Sequence, residues 1–219
     1  MIGFLSMPAA LWIWAAVVVA SLLLLLHDMR SRNPEIAGLM KLVWVLTVAY
    51  SGPLGLAGYF WSGRKQIAHD TLWRRAFRSV AHCYSGCGAG EAVGVFIAAG
   101  LFSLGFWPVA VLSFLLAYLA GIVLTVGPMM QEGVAFPDAL RDAIYAETPS
   151  IAVMEIVAIG VDRWISVGAT MAEPLFWSGL IISLSCGLIA SYPVNALLIR
   201  LGVKEGMHDP REMARMHDA

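Results

Sequence analysis

Charge is what this sequence has least of. Asp, Glu, Lys and Arg make up 13% of its 219 residues, about half the share of an average soluble domain. With hydrophobic residues at 59%, a water-soluble globular class is excluded. The formal net charge of −1 shows no basic excess of the kind that points to nucleic-acid binding, so no nucleic-acid partner is expected. Cysteine is also rare. Three cysteines cannot all pair. Cys83 and Cys87, four apart on one helix, stand about 6 Å apart with geometry that rarely suits a disulfide. These thiols are expected to be free or ligating, not a covalent framework. No basic residue precedes Leu11 and no small-x-small pattern follows before His27, so a cleaved signal peptide is not expected. Missing too are G-x-x-x-x-G-K-[ST], H-E-x-x-H and G-x-S-x-G. An ATP-driven pump within this chain and enzymes built on those motifs therefore lack support.

What is present is a series of apolar stretches of bilayer length. About 20 such residues span the hydrocarbon core. The sequence predicts an all-α polytopic transmembrane bundle of six helices. Their expected limits are Pro8–Leu26, Ile36–Phe60, Val80–Phe102, Phe106–Val126, Thr148–Val167 and Pro174–Leu201. Between the fourth and fifth, Phe136, Leu140 and Ile144 alternate with Asp138, Arg141 and Asp142, as in a short helix lying in the interface. Residues 1–206 form one transmembrane domain in this reading, and 207–219 a cytoplasmic tail holding Met207, His208, Met213, Met216 and His217.

Basic residues set the expected orientation. Arg64, Lys65, Arg74, Arg75 and Arg78 precede the third helix, and Arg200, Lys204, Arg211 and Arg215 follow the sixth. The positive-inside rule then puts both termini in the cytoplasm, with the chain in the inner (cytoplasmic) membrane of a bacterium. Arg30 and Arg32 conflict locally, since the first helix alone would prefer its N-terminus outside. Five helices, with the first misassigned, is the alternative that this conflict keeps open.

The chemistry concentrates in His82-Cys83-Tyr84-Ser85-Gly86-Cys87-Gly88-Ala89-Gly90-Glu91. Cys83, Cys87 and Glu91 recur at i, i+4 and i+8, which drifts only about 80° around a helix. A carboxylate in the bilayer costs about 2.5–3.5 kcal/mol on insertion scales, so Glu91 is expected to face the bundle interior. Two thiols, a carboxylate and His82 are a plausible ligand set for a soft metal. Met154 and Glu155 on the fifth helix fall at a similar depth. So do Tyr192 and Asn195 on the sixth and Tyr50, Ser51 and Pro53 on the second. Asp162, two turns beyond Glu155, extends a ladder of carboxylates suited to ion movement. The expected metal residues are Cys83, Cys87, His82, Glu91, Met154 and Glu155, with Asp162, Tyr192 and Asn195 along an ion path. Plainer roles stay open: Gly86, Gly90 and Gly94 serve close helix packing, the cysteines act as small apolar residues, and each acid pairs with an arginine.

The string His82–Glu91, with Ser191-Tyr192-Pro193-Val194-Asn195 and Gly202-Val203-Lys204-Glu205-Gly206-Met207, resembles a bacterial membrane family known as domain of unknown function four-three-nine-six. The resemblance covers the chain from the second helix to Met207. It implies an association with copper-handling proteins, and no settled activity. The last residue of the first motif is often Asp in such relatives and is Glu here.

The expected function is an integral membrane protein that binds a soft transition metal, copper first and zinc second, with transport of the ion as its further step. Such transport is passive, gradient-coupled or partner-driven. A membrane thiol-redox or metal-dependent enzyme is the second class. The C-x-x-x-C spacing weakens it. A structural or regulatory membrane subunit, within an oligomer or not, is the third.

Overall fold

The computed structural model describes residues 2–212 and residue 215. Among these the chain is all α-helical, with no strand. A short α1 (Ile2–Leu5) leads into α2 (Pro8–Ser31), which starts with proline in its first turn, where the missing N–H costs nothing. Then follow α3 (Gly38–Ser51) and α4 (Pro53–Gly58), the latter continued by a π-helical turn at Tyr59–Gly63. Next come α5 (Leu72–Val95) with a π-helical extension at Phe96–Leu101, α6 (Phe106–Gln131), α7 (Phe136–Ile165) and α8 (Pro174–Arg200). Among the described residues, five helices are long and apolar enough to cross a membrane: α2, extended α5, α6, α7 and α8. The chain is a multi-pass bundle, as its composition implies.

The expected second span, Ile36–Phe60, is not a span. It is a helical hairpin that enters and leaves at one end of the bundle. Gly52 adopts φ 54° and ψ −125°, a conformation open to glycine and closed to most residues, and Pro53 follows, so α3 stops there and the chain reverses. The returning arm lies back along α3. Tyr59 packs edge-on against Trp44 at 5.4 Å between ring centroids, and a Cβ on Gly63 would stand 2.5 Å from the Trp44 ring. The arm ends where it began: Lys65 N–H donates to Asn33 Oδ1 at 3.1 Å, and Lys65 Nζ pairs with Glu35 at 3.3 Å. Buried Asp28 anchors both arms. Its Oδ2 accepts from Tyr59 Oη at 2.9 Å and from Asn33 Nδ2 at 2.8 Å, and Arg64 stands 3.5 Å from its Oδ1.

This hairpin removes one crossing and corrects the expected topology. Leu5 O accepts a hydrogen bond from Ser178 Oγ at 2.8 Å, so the N-terminal segment sits beside the start of α8. The segment after α8 packs instead beside the start of α5, where Met207 O accepts from Arg78 at 3.1 Å. The two described chain ends therefore lie at opposite ends of the bundle, not on one side. Of the fourteen lysines and arginines, only Arg163 lies away from the end that carries the C-terminus. Arg30 and Arg32, in conflict with a six-helix topology, now join that basic end.

Other boundaries also move. α5 begins at Leu72 rather than Val80, because Thr71 caps it, its Oγ1 accepting from Arg74 N–H at 3.2 Å. The amphipathic stretch Phe136–Ile144 is not a separate interfacial helix. It is the first part of α7, which runs on through Pro149. Between α5 and α6 the glycine stripe works at close quarters. A Cβ on Gly94 would lie 2.5 Å from Ser113 Cα, and one on Gly90 would strike the Leu116 carbonyl. Small residues let these helices touch backbone to backbone.

Candidate intramembrane cation site

The polar interior is layered along α5 and α7. Farthest from the basic end is a cavity of about 400 Å³. Its mouth lies at the Ser103–Gly105 and Gly168–Thr170 loops, and Glu91, Glu155 and Asp162 line it. Glu91 comes from α5; Glu155 and Asp162 sit two turns apart on one face of α7. Asp162 Oδ1 accepts from Ser166 Oγ at 2.7 Å. Glu91 Oε2, Glu155 Oε1 and the nearby Ser113 Oγ are buried with no hydrogen-bond partner among the described residues. Lysine, arginine and histidine are absent from the cavity lining. Arg163, the basic residue next in sequence to Asp162, turns outward and stacks over the Phe106 ring at 5.4 Å. Three carboxyl groups thus share one recess with no protein countercharge. Buried charges without partners are strongly unfavourable, so this recess suits protons or a cation.

About one helical turn toward the basic end lies a sulfur layer. Cys83 Sγ and Cys87 Sγ are 3.9 Å apart. Both are buried in one cluster with Met154, Ile151 and Leu188. Gly121 makes the room, since a Cβ there would stand 3.2 Å from Cys87 Sγ. Two thiols and a thioether are soft donors that match Cu(I).

Nearest the basic end is a hydrogen-bonded layer. Lys204 Nζ donates to Glu147 Oε2 at 2.7 Å and to Asn195 Oδ1 at 3.0 Å. Thr125 Oγ1 donates to Glu147 Oε1 at 3.3 Å, and Ser79 Oγ to Asn195 Oδ1 at 3.2 Å. His82 is buried near this layer, 3% exposed.

The expected site residues therefore divide. Glu91, Glu155 and Asp162 come together. Cys83, Cys87 and Met154 come together one layer away. His82 and Asn195 belong to the third layer. His82 precedes Cys83 by one helical step of about 100°, which takes it off the cysteine stripe. Among the described residues, no three of His, Cys, Asp and Glu converge as a metal cluster. Tyr192 is half-buried at the edge of the sulfur layer, packed against its cluster. Its hydroxyl donates to Trp73 O at 3.2 Å, and its ring packs on Trp73 and Phe77. Of the tail, Met213, Met216 and His217 lie outside the described residues. The hairpin tip reaches the middle layers: Tyr50 packs edge-on against Tyr84 at 5.8 Å.

The profile of a family described as Domain of unknown function (DUF4396) matches residues 72–204, more than half of the chain. The chain belongs to this family. The DUF4396 region takes in α5 to α8 and ends on Lys204, so all three layers lie within it and the α3–α4 hairpin lies outside. No curated protein and no solved structure matches the chain.

Sequence reasoning missed the Glu147–Lys204 pair, Asp28 and Ser113. A signal for the pair was present, because Lys204 falls inside the motif Gly202–Met207 and Glu147 sits directly before the expected fifth span. Their partnership needs the chain after α8 to turn back at Gly202, which no periodicity reports. Asp28 carried a weaker signal, as an acid just past the end of the first apolar run.

Proposed function

We propose that this protein binds a soft transition-metal ion within the membrane and passes it along the bundle axis, with copper as its principal cargo. The observation that carries this reading is the recess lined by Glu91, Glu155 and Asp162. Its buried carboxylate oxygens lack partners and its lining lacks basic residues. Negative charge gathers the cation there, and the adjacent Cys83, Cys87 and Met154 supply the preference for a soft ion. The carboxylates exchange protons or hard contacts with the ion as it leaves for sulfur. In a bacterial inner membrane, the gathering of basic residues at one end supports a cytoplasmic position for that end under the positive-inside rule. The recess then opens outward, and five spans carry the N-terminus outside and the C-terminus inside.

Uptake of radioactive or isotopically labelled copper into proteoliposomes tests the transport step. Wild-type protein is expected to move the ion. Glu91→Gln and Glu155→Gln are expected to lose most of the flux while still folding. Flux equal to wild type in both variants would overturn the role of the recess.

A further inference from the structure

The third layer has the composition of a cation site that is already filled, and the filling is part of the chain. Lys204 reaches it on a strap, Val203 to Glu205, set between two glycines in the left-handed region, Gly202 at φ 72° and Gly206 at φ 79°. Both ends of the strap are tied. Val203 N–H donates to Leu198 O at 3.0 Å. Beyond Gly206, Met207 O accepts from Arg78, itself held by Asp70 at 2.7 Å. The ammonium is thus placed by the backbone, with its side chain only 8% exposed and that of Glu147 3% exposed.

The oxygens around Nζ are oriented independently of it. Asn195 Nδ2 donates to Ser150 Oγ and, at 3.1 Å, to Ser191 O, which turns Oδ1 toward the lysine. Thr125 Oγ1 stands 3.3 Å from the other oxygen of Glu147 and shares its proton between that oxygen and Gly121 O at 3.2 Å. What remains, once the ammonium is set aside, is a carboxylate oxygen and an amide oxygen aimed at one point, with hydroxyls beside them. Such hard oxygen donors suit an alkali cation, and potassium resembles an ammonium in size and charge.

We propose that Glu147 and Asn195, flanked by Thr125 and Ser79, form a monovalent-cation site whose resident is the Lys204 ammonium, so that the C-terminal strap plugs the basic end of the bundle. This inference deepens the transport reading and rests on it only for the direction of flow. The site itself is tested separately from any metal.

The test uses full-length Lys204→Met protein in detergent, with potassium chloride exchanged for choline chloride at constant ionic strength. A cation that binds the folded state raises its melting temperature with concentration. Potassium is expected to raise Tm in Lys204→Met, to leave wild type and Lys204→Arg unmoved, and to lose its effect in the Lys204→Met/Glu147→Gln double variant. A Tm of Lys204→Met that is the same in potassium and choline would overturn the proposal. So would failure of Lys204→Met to fold at any potassium concentration while Lys204→Arg folds. Loss of copper flux in the Glu91 and Glu155 variants bears on the outer recess alone, so failure of either idea is distinguishable.

Discussion

Replacing Gly94 by alanine puts a methyl group into the tightest part of the α5–α6 contact. Its Cβ would lie 2.5 Å from Ser113 Cα, whereas ordinary van der Waals contact starts at 3.4 Å, so the helices must part by 0.9 Å locally. The obstacle is backbone and cannot swing aside. A gap of about 0.5–1 Å forfeits a quarter to a half of each dispersion contact along the opened interface, and overpacking of this kind costs about 1–3 kcal/mol. Alanine recovers roughly 0.8–1 kcal/mol of helix propensity, which leaves a net loss of up to roughly 2 kcal/mol. Gly160, on α7, provides the control, since nothing lies within 4 Å of its Cβ position. There the same substitution gains about 1 kcal/mol because only propensity acts. Thermal unfolding of both variants in one detergent, followed by the reactivity of the buried Cys83 and Cys87 thiols, should give shifts of opposite sign. Equal stabilisation at Gly94 and Gly160 would refute the close packing of α5 on α6.

Three further outcomes follow from the geometry. Gly52→Ala should lower stability by about 1–3 kcal/mol, the usual cost of a side chain in a glycine-only conformation; unchanged thermal unfolding would remove Gly52 as the cause of the reversal. Reporter fusions should place the N-terminus outside and both Lys65 and the C-terminus in the cytoplasm, and a cytoplasmic N-terminus would contradict the five-span arrangement. On the tail, the Arg211 guanidinium beside Asp209 holds that carboxyl below its ordinary value. A depressed carboxylate contributes fully above its unfolded pKa of about 3.9 and loses the contribution as pH falls through the lower folded value. Hydrogen-exchange protection of the segment around Asp209 should therefore hold steady at neutral and mildly acidic pH and fall only in strong acid. Loss of protection near pH ~6, where histidines titrate, would assign the docking to another group.

The helical membrane class was legible because length and apolarity of a span are properties of consecutive residues. α6 and α8 start where sequence places them, at Phe106 and Pro174. The hairpin was harder. Ile36–Phe60 is apolar enough to span, and only the Gly52-Pro53 pair marks the reversal. That pair reads equally as a kink in a continuous helix. What separates a kink from a turn is Asp28 meeting Tyr59 and Arg64, a contact between distant segments. Arg30 and Arg32 were the better clue, since their conflict with six helices disappears with five. At the site, helical spacing correctly aligned Cys83, Cys87 and Glu91 on one stripe. Spacing on one helix cannot say which stripe of α7 or α8 faces it. Glu91 therefore shares a cavity with Glu155 while the thiols cluster with Met154, and His82 lies off the cysteine stripe.

Metal content is the most direct measure of the central claim. Wild-type protein loaded with copper under reducing conditions, washed with a weak chelator and subjected to elemental analysis should retain about one ion per chain, the count for one ligand cluster. Retention should weaken as pH falls, because thiol ligands must lose protons to bind. The Cys83→Ser/Cys87→Ser double variant, still folded by its thermal transition, should retain none. Copper content unchanged in that variant, or absent from wild type, would contradict a soft-metal site between α5 and α7.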